Sequence, residues 1–112
     1  MAGTPLIEGP EDLTATYTTD IYFPPANTYA LVRHIHLANT DSSARTVRIY
    51  RDATGTATDG KQLAYDYSVA ANDVADIYFP SGLKLTSSIG LVGGASSGSV
   101  VTITILGELY AS

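Results

Sequence analysis

Two histidines, the only ones in the chain, stand two residues apart in Arg33-His34-Ile35-His36-Leu37. On an extended strand that spacing projects both imidazoles from one face, where they could chelate a metal. A third and a fourth ligand would have to come from carboxylates on a neighbouring strand, and no motif supplies them. The pair is therefore expected to act as cross-strand partners on a polar sheet face or as contacts at a subunit interface. No metal and no cofactor are expected.

Other candidates for chemistry are weaker. Asp52-Ala53-Thr54-Gly55-Thr56-Ala57-Thr58-Asp59-Gly60 has acids at both ends, but hydroxyls fill its alternate positions and no glutamate closes it, so it reads as a solvated hairpin loop rather than a calcium loop. No Gly-x-Ser-x-Gly elbow is present. Asp66, Asp73, Asp76 and Glu108 could pair for glycoside hydrolysis, yet a chain of 112 residues folded as a sandwich has little room for a cleft. Gly90, Gly93 and Gly94 precede no helix and so do not cradle phosphate. An enzyme is not expected.

Tyrosine is over-used, with eight copies against two phenylalanines and no tryptophan. Its ring packs while its hydroxyl keeps a polar partner, which suits half-buried surfaces and interfaces. Tyr65 and Tyr67 should share one strand face and, with Tyr50 on a neighbouring strand, form an exposed aromatic patch. These three, together with Thr4, Pro5, Leu6 and Ile7 of the N-terminal segment, are the expected partner-binding residues.

The elements that must position these groups are strands. Thr, Val, Ile and Tyr are abundant, and Leu, Glu, Lys and Gln never cluster at helical spacing. Strands are expected near Leu13–Thr18, Asp20–Phe23, Tyr29–Leu37, Arg45–Arg51, Gln62–Val69, Asp73–Phe79, Ser88–Val92 and Ser99–Leu109. Val101, Ile103 and Ile105 share the core face of the last of them. Asn39–Ser43 should turn a hairpin, and Gly93–Gly98 should be a flexible connection. Asp-Ile-Tyr-Phe-Pro occurs twice, at 20–24 and 76–80. Each proline should end its strand. The copies diverge immediately afterwards, so they read as two strand ends meeting a similar sheet corner, not as a duplicated domain. The expected fold is all-β: an antiparallel sandwich of about eight strands, jelly-roll-like, over residues 13–112, preceded by an extended arm, Met1–Asp12, that orders against a partner.

Composition narrows the setting. With 45% hydrophobic residues the chain can enclose one core, and without cysteine it must be held by packing, strand pairing or association. A net charge of −5 with only six basic residues argues against a nucleic-acid partner. No apolar run is long enough for a membrane span, and Met1–Pro5 lacks the features of a signal peptide, so synthesis in a cytoplasm and no membrane partner are expected.

At Tyr29-Ala30-Leu31-Val32-Arg33-His34-Ile35-His36-Leu37-Ala38-Asn39-Thr40, at Thr46-Val47-Arg48-Ile49-Tyr50, and at the later Asp-Ile-Tyr-Phe-Pro-Ser-Gly strand end, the sequence resembles small β-sandwich virion proteins of tailed bacteriophages. The likeness in pattern runs over roughly Leu13–Tyr110. It implies a capsid decoration or cement protein, a homo-oligomer and most simply a trimer, which clamps major capsid protein subunits from the exterior of the head after synthesis in the host bacterium. A tail or fibre component is the alternative within virions. A carbohydrate-binding module with a tyrosine platform is the alternative from another class. The resemblance implies no catalytic residue.

Overall fold

The computed structural model describes residues 3–112 of the chain. Among them are eight strands and no helix: β1 (Thr4–Asp12), β2 (Asp20–Tyr22), β3 (Thr28–Asn39), β4 (Arg45–Asp52), β5 (Gln62–Val69), β6 (Asp73–Thr86), β7 (Gly90–Ala95) and β8 (Val101–Ala111). They form two antiparallel sheets, ordered β1-β8-β3-β6 and β2-β7-β4-β5. The fold class is all-β, as expected. Pairing is nested: β1 joins β8, β2 joins β7, β3 joins β6 and β4 joins β5. The chain is thus one long antiparallel ribbon folded over on itself, with the β4–β5 hairpin as its closed end.

Period-two alternation decides what lies between the sheets. Val32, Ile35, Leu37, Leu85, Ile103 and Ile105 from the first sheet meet Val47, Ile49, Leu91 and Ala95 from the second, all fully buried. Burying each of the larger aliphatic side chains contributes about 1.5–3 kcal/mol. Arg33 breaks the alternation. The register of β3 shifts between Val32 and His34 against both neighbours, so Val32 faces the core while His34 and His36 face out.

Four local expectations are corrected. Met1 and Ala2 lie outside the described residues, but Thr4–Asp12 is no free arm: it is the edge strand β1, hydrogen-bonded along β8, with Leu6 buried. An edge position tolerates Pro5, and Pro10 falls where the register shifts between Glu8 and Glu11. Leu13–Thr18 is not a strand. Leu13 still bonds β8 and its approach through Val101 and Ser99, but the following threonines cross to the second sheet, where Ala95 donates to the Thr14 carbonyl and Gly93 to that of Thr19. Gly93 and Gly94 are not flexible either. They lie inside the fully buried β7, where a Cβ on Gly94 would collide with the Thr14 and Thr16 carbonyls and one on Gly93 with the Arg48 carbonyl. Close backbone approach, not mobility, explains these glycines. Finally, Pro24 follows the end of β2, but Pro80 sits inside β6, in the register break between Tyr78 and Leu83 that faces the Arg33 bulge.

Candidate functional site

Hydrogen-bond register carries the outward positions of the first sheet into rows. Ile7 on β1 opposes Leu106 on β8, which opposes His34 on β3, which opposes Tyr78 on β6. The next outward row is Thr104, His36 and Asp76, and the one after it is Asp12, Thr102, Ala38 and Val74. Ile7, Val74 and Tyr78 are 68%, 52% and 65% exposed. Large apolar side chains therefore lie at both edges of one solvent-facing sheet surface, with imidazoles between them.

The centre of that surface is a three-residue cluster. His34 Nε2 lies 2.6 Å and His36 Nδ1 2.7 Å from the same carboxylate oxygen, Oδ1 of Asp76. Hydrogen bonds from His36 and then His34 hold the Asp76 carboxyl below its ordinary value. The Tyr78 ring stacks on His34, with centroids 4.4 Å apart and planes 11° from parallel, which fixes the orientation of that imidazole. All three side chains are partly exposed.

No protein-family model, curated protein or solved structure matches the chain.

Asp76 is the residue that sequence reasoning did not join to the histidines. It belongs to the second Asp-Ile-Tyr-Phe-Pro copy, and only the β3–β6 register, His36 opposite Asp76, brings it there. The first copy does different work: the Asp20 carboxylate accepts from the Gly55 amide and the Thr54 hydroxyl, tying β2 to the β4–β5 loop. Identical pentapeptides thus meet unlike partners, one in each sheet.

The other expected partner-binding residues are dispersed. Thr4 and Pro5 are exposed on β1, with the Thr4 hydroxyl donating to the Leu109 carbonyl, while Leu6 is core. Tyr50 is 3% exposed and opposes Val92, so it cannot join a surface patch. Its position, one residue on from core-facing Ile49, places it on the opposite face of the second sheet, where both it and Val92 are covered. Tyr65 lies on the guanidinium of the outward Arg48, 4.2 Å from the ring centroid, with Tyr17 at 4.5 Å on the same group. Tyr67 is in register with core-facing Val47. The register break between Val47 and Ile49 and the left-handed Asp66, φ 50°, separate the environments of these two tyrosines. The expected patch of Tyr50, Tyr65 and Tyr67 is not assembled.

The acids considered for hydrolysis do not converge. Asp66 binds Arg48, Glu108 binds Arg33, Asp73 accepts its neighbour's amide, and Asp76 holds the histidines. Asp52 turns its oxygens into its own loop, accepting from the Ala53 and Thr58 amides at 2.8 Å each. A depression lined by Arg51, Lys61, Gln62, Leu63 and Ile89 contains no acid or imidazole.

Proposed function

We propose that this chain is a structural protein that works by docking the outer face of its β1-β8-β3-β6 sheet onto other subunits of an assembly. The observation that carries this reading is the exposure of Ile7, Val74 and Tyr78 on one continuous sheet face. Large apolar groups on a single rigid surface are what a subunit contact uses, and their scattered counterparts on an ordinary surface are not so aligned. The resemblance of the Tyr29–Thr40 and Thr46–Tyr50 segments to small virion proteins of tailed bacteriophages gives the assembly its form: a capsid decoration protein, assembled as a trimer on the head exterior and bound to the major capsid protein. The nested strand order supports reading the sandwich as a jelly roll, an architecture common in capsid subunits. The mechanism is mass action: contacts made only in the completed shell stabilise that shell, and many weak contacts act together. The net charge of −5 suits a surface that faces solvent rather than packaged nucleic acid.

The test combines light scattering after size exclusion with co-sedimentation on undecorated phage heads, using the intact chain, Ile7→Ser and Tyr78→Ser. Self-association and head binding should be present in the intact chain and weakened at least tenfold in both variants, with their circular dichroism unchanged. A monomer that ignores heads and binds glycans would replace this reading with the carbohydrate-binding one.

A further inference from the structure

We infer that His34, His36 and Asp76 form a divalent transition-metal site of the zinc class, which staples β3 to β6 and leaves one coordination position open on the outer sheet face. Three donor atoms of the required types, two imidazole nitrogens and one carboxylate oxygen, lie within 4.8 Å of one another. Two sit on β3, an inner strand held on both sides by β6 and β8, and the third sits directly opposite on β6. Backbone pairing has therefore already met the cost of bringing the ligands together, which is the main obstacle to a site assembled from distant residues.

Geometry is close to what the ion requires. At a metal–ligand distance near 2.0–2.1 Å, neighbouring donors of a tetrahedral site stand about 3.3 Å apart. The nitrogen–oxygen separations of 2.6 and 2.7 Å must open by less than about 1 Å, and a nitrogen pair within 4.8 Å must close by no more than about 1.5 Å. Side-chain torsions supply both movements without any change of strand register. In the metal-free chain the two rings donate N–H groups to one oxygen. To ligate through these nitrogens each neutral ring carries its proton on the other ring nitrogen, Nδ1 of His34 and Nε2 of His36, a change of tautomer that leaves the proton count as it was.

Ligand type selects the ion. Two imidazoles and one carboxylate suit Zn²⁺ and its neighbours Co²⁺, Ni²⁺ and Cu²⁺, whereas Ca²⁺ and Mg²⁺ need a shell of oxygens that this face does not present. Three protein ligands leave a tetrahedral ion with one open position, pointing away from the sheet. Stacking of Tyr78 on His34 restricts one ring to its ligating orientation, the role that supporting contacts play around metal centres.

The site is tested on the full chain, stripped with chelator and titrated with Zn²⁺ alone by calorimetry, with no docking partner in the cell, so the outcome is independent of the assembly reading. One Zn²⁺ per chain is expected, with binding at least tenfold weaker in His36→Ala and in Asp76→Asn, since loss of a direct ligand exceeds the roughly 10–100-fold effect of losing a supporting residue. A second readout needs no variant: Zn²⁺ should shift the imidazole resonances of both histidines in the intact chain, and Co²⁺ should give visible d–d bands that Zn²⁺ abolishes. Absence of Zn²⁺ binding, undiminished binding in both variants, unmoved histidine resonances, or equal binding of Mg²⁺ would each overturn the assignment.

Discussion

Asn39 shows how much one polar side chain can organise in a sandwich this small. It is 2% exposed, and its amide nitrogen donates to the carbonyls of Ser43, Val69 and Ala70 while its oxygen accepts from the Asp41 amide. It therefore closes the β3–β4 turn and pins the end of β5 to it. Asn39→Ala strips these partners at once and should cost about 1–3 kcal/mol in denaturant unfolding, the penalty for leaving buried polar groups unpaired. Asn39→Asp should cost more, because it turns a carboxylate toward three carbonyl oxygens. Asp52 gives the matching case for charge. Hydrogen bonds from Thr58, and then from Ala53 and Thr56, hold its carboxyl far below the usual range. A depressed carboxylate stabilises the fold fully above its unfolded value, near 4, and loses that contribution as pH falls through its folded value. Asp52→Asn should therefore lower the thermal midpoint at pH 7, and the gap from the natural chain should narrow steadily below pH 4. A gap independent of pH would show that the charge on Asp52 is not what organises the loop. A turn at Asn39 was legible in the sequence from residue types alone, but the expected hairpin is not formed: the turn carries the chain from β3 in one sheet to β4 in the other. Its partners were not, because Val69 and Ala70 lie some thirty positions away and nothing local signals them.

At the scale of elements, alternation was the readable signal wherever a strand had one buried and one wet face. β8 carries that pattern over Val101–Ile105 and was expected close to where it lies; β4 and β5 were also expected near their places, from their β-branched and aromatic residues rather than from clean alternation. It failed in two kinds of place. β7 is buried on both faces, so its glycines looked like a linker, and β1 buries only Leu6, so it looked like an arm. The site was half legible: the His-x-His spacing was visible, but Asp76 could be joined to it only by knowing which strand pairs with β3. These distinctions carry predictions. Ile105 is fully buried on β8, between β1 and β3, and Ile105→Ala should cost about 2–5 kcal/mol and lower the thermal midpoint by roughly 10 °C or more. Deleting residues 1–12 removes a whole edge strand, not a tether. The remaining chain should lose cooperative unfolding or associate through the bared edge of β8, seen as a drop in thermal midpoint and a rise in scattering mass. A truncated chain that melts like the full one would mean that β1 adds nothing to the sheet.

For the whole molecule, nesting has a kinetic consequence. The Thr4 hydroxyl reaches the Leu109 carbonyl across 105 positions of sequence, and the backbones of β1 and β8 pair over nearly their full lengths. Only the β4–β5 hairpin can form from a short loop. Every later pair in the series, β3 with β6 and then the outer strands, must close a longer one before its contacts offset the entropy lost. Refolding should accordingly fall in the millisecond-to-second range typical of such topologies, followed by tyrosine fluorescence, since the chain has eight tyrosines and no tryptophan to mask them. Joining residue 112 to residue 1 with a short flexible linker should change this in a defined way. The outermost pair then closes a short loop, while the native neighbours stay as they are. The cyclised chain should be more stable by up to about 4 kcal/mol, the loop-closure entropy of a chain this long. How that gain divides between the rates locates β1–β8 docking on the pathway: faster refolding places it before the transition state, and slower unfolding with unchanged refolding places it after. The nested topology favours the second outcome, because the ends are the last segments to be drawn in.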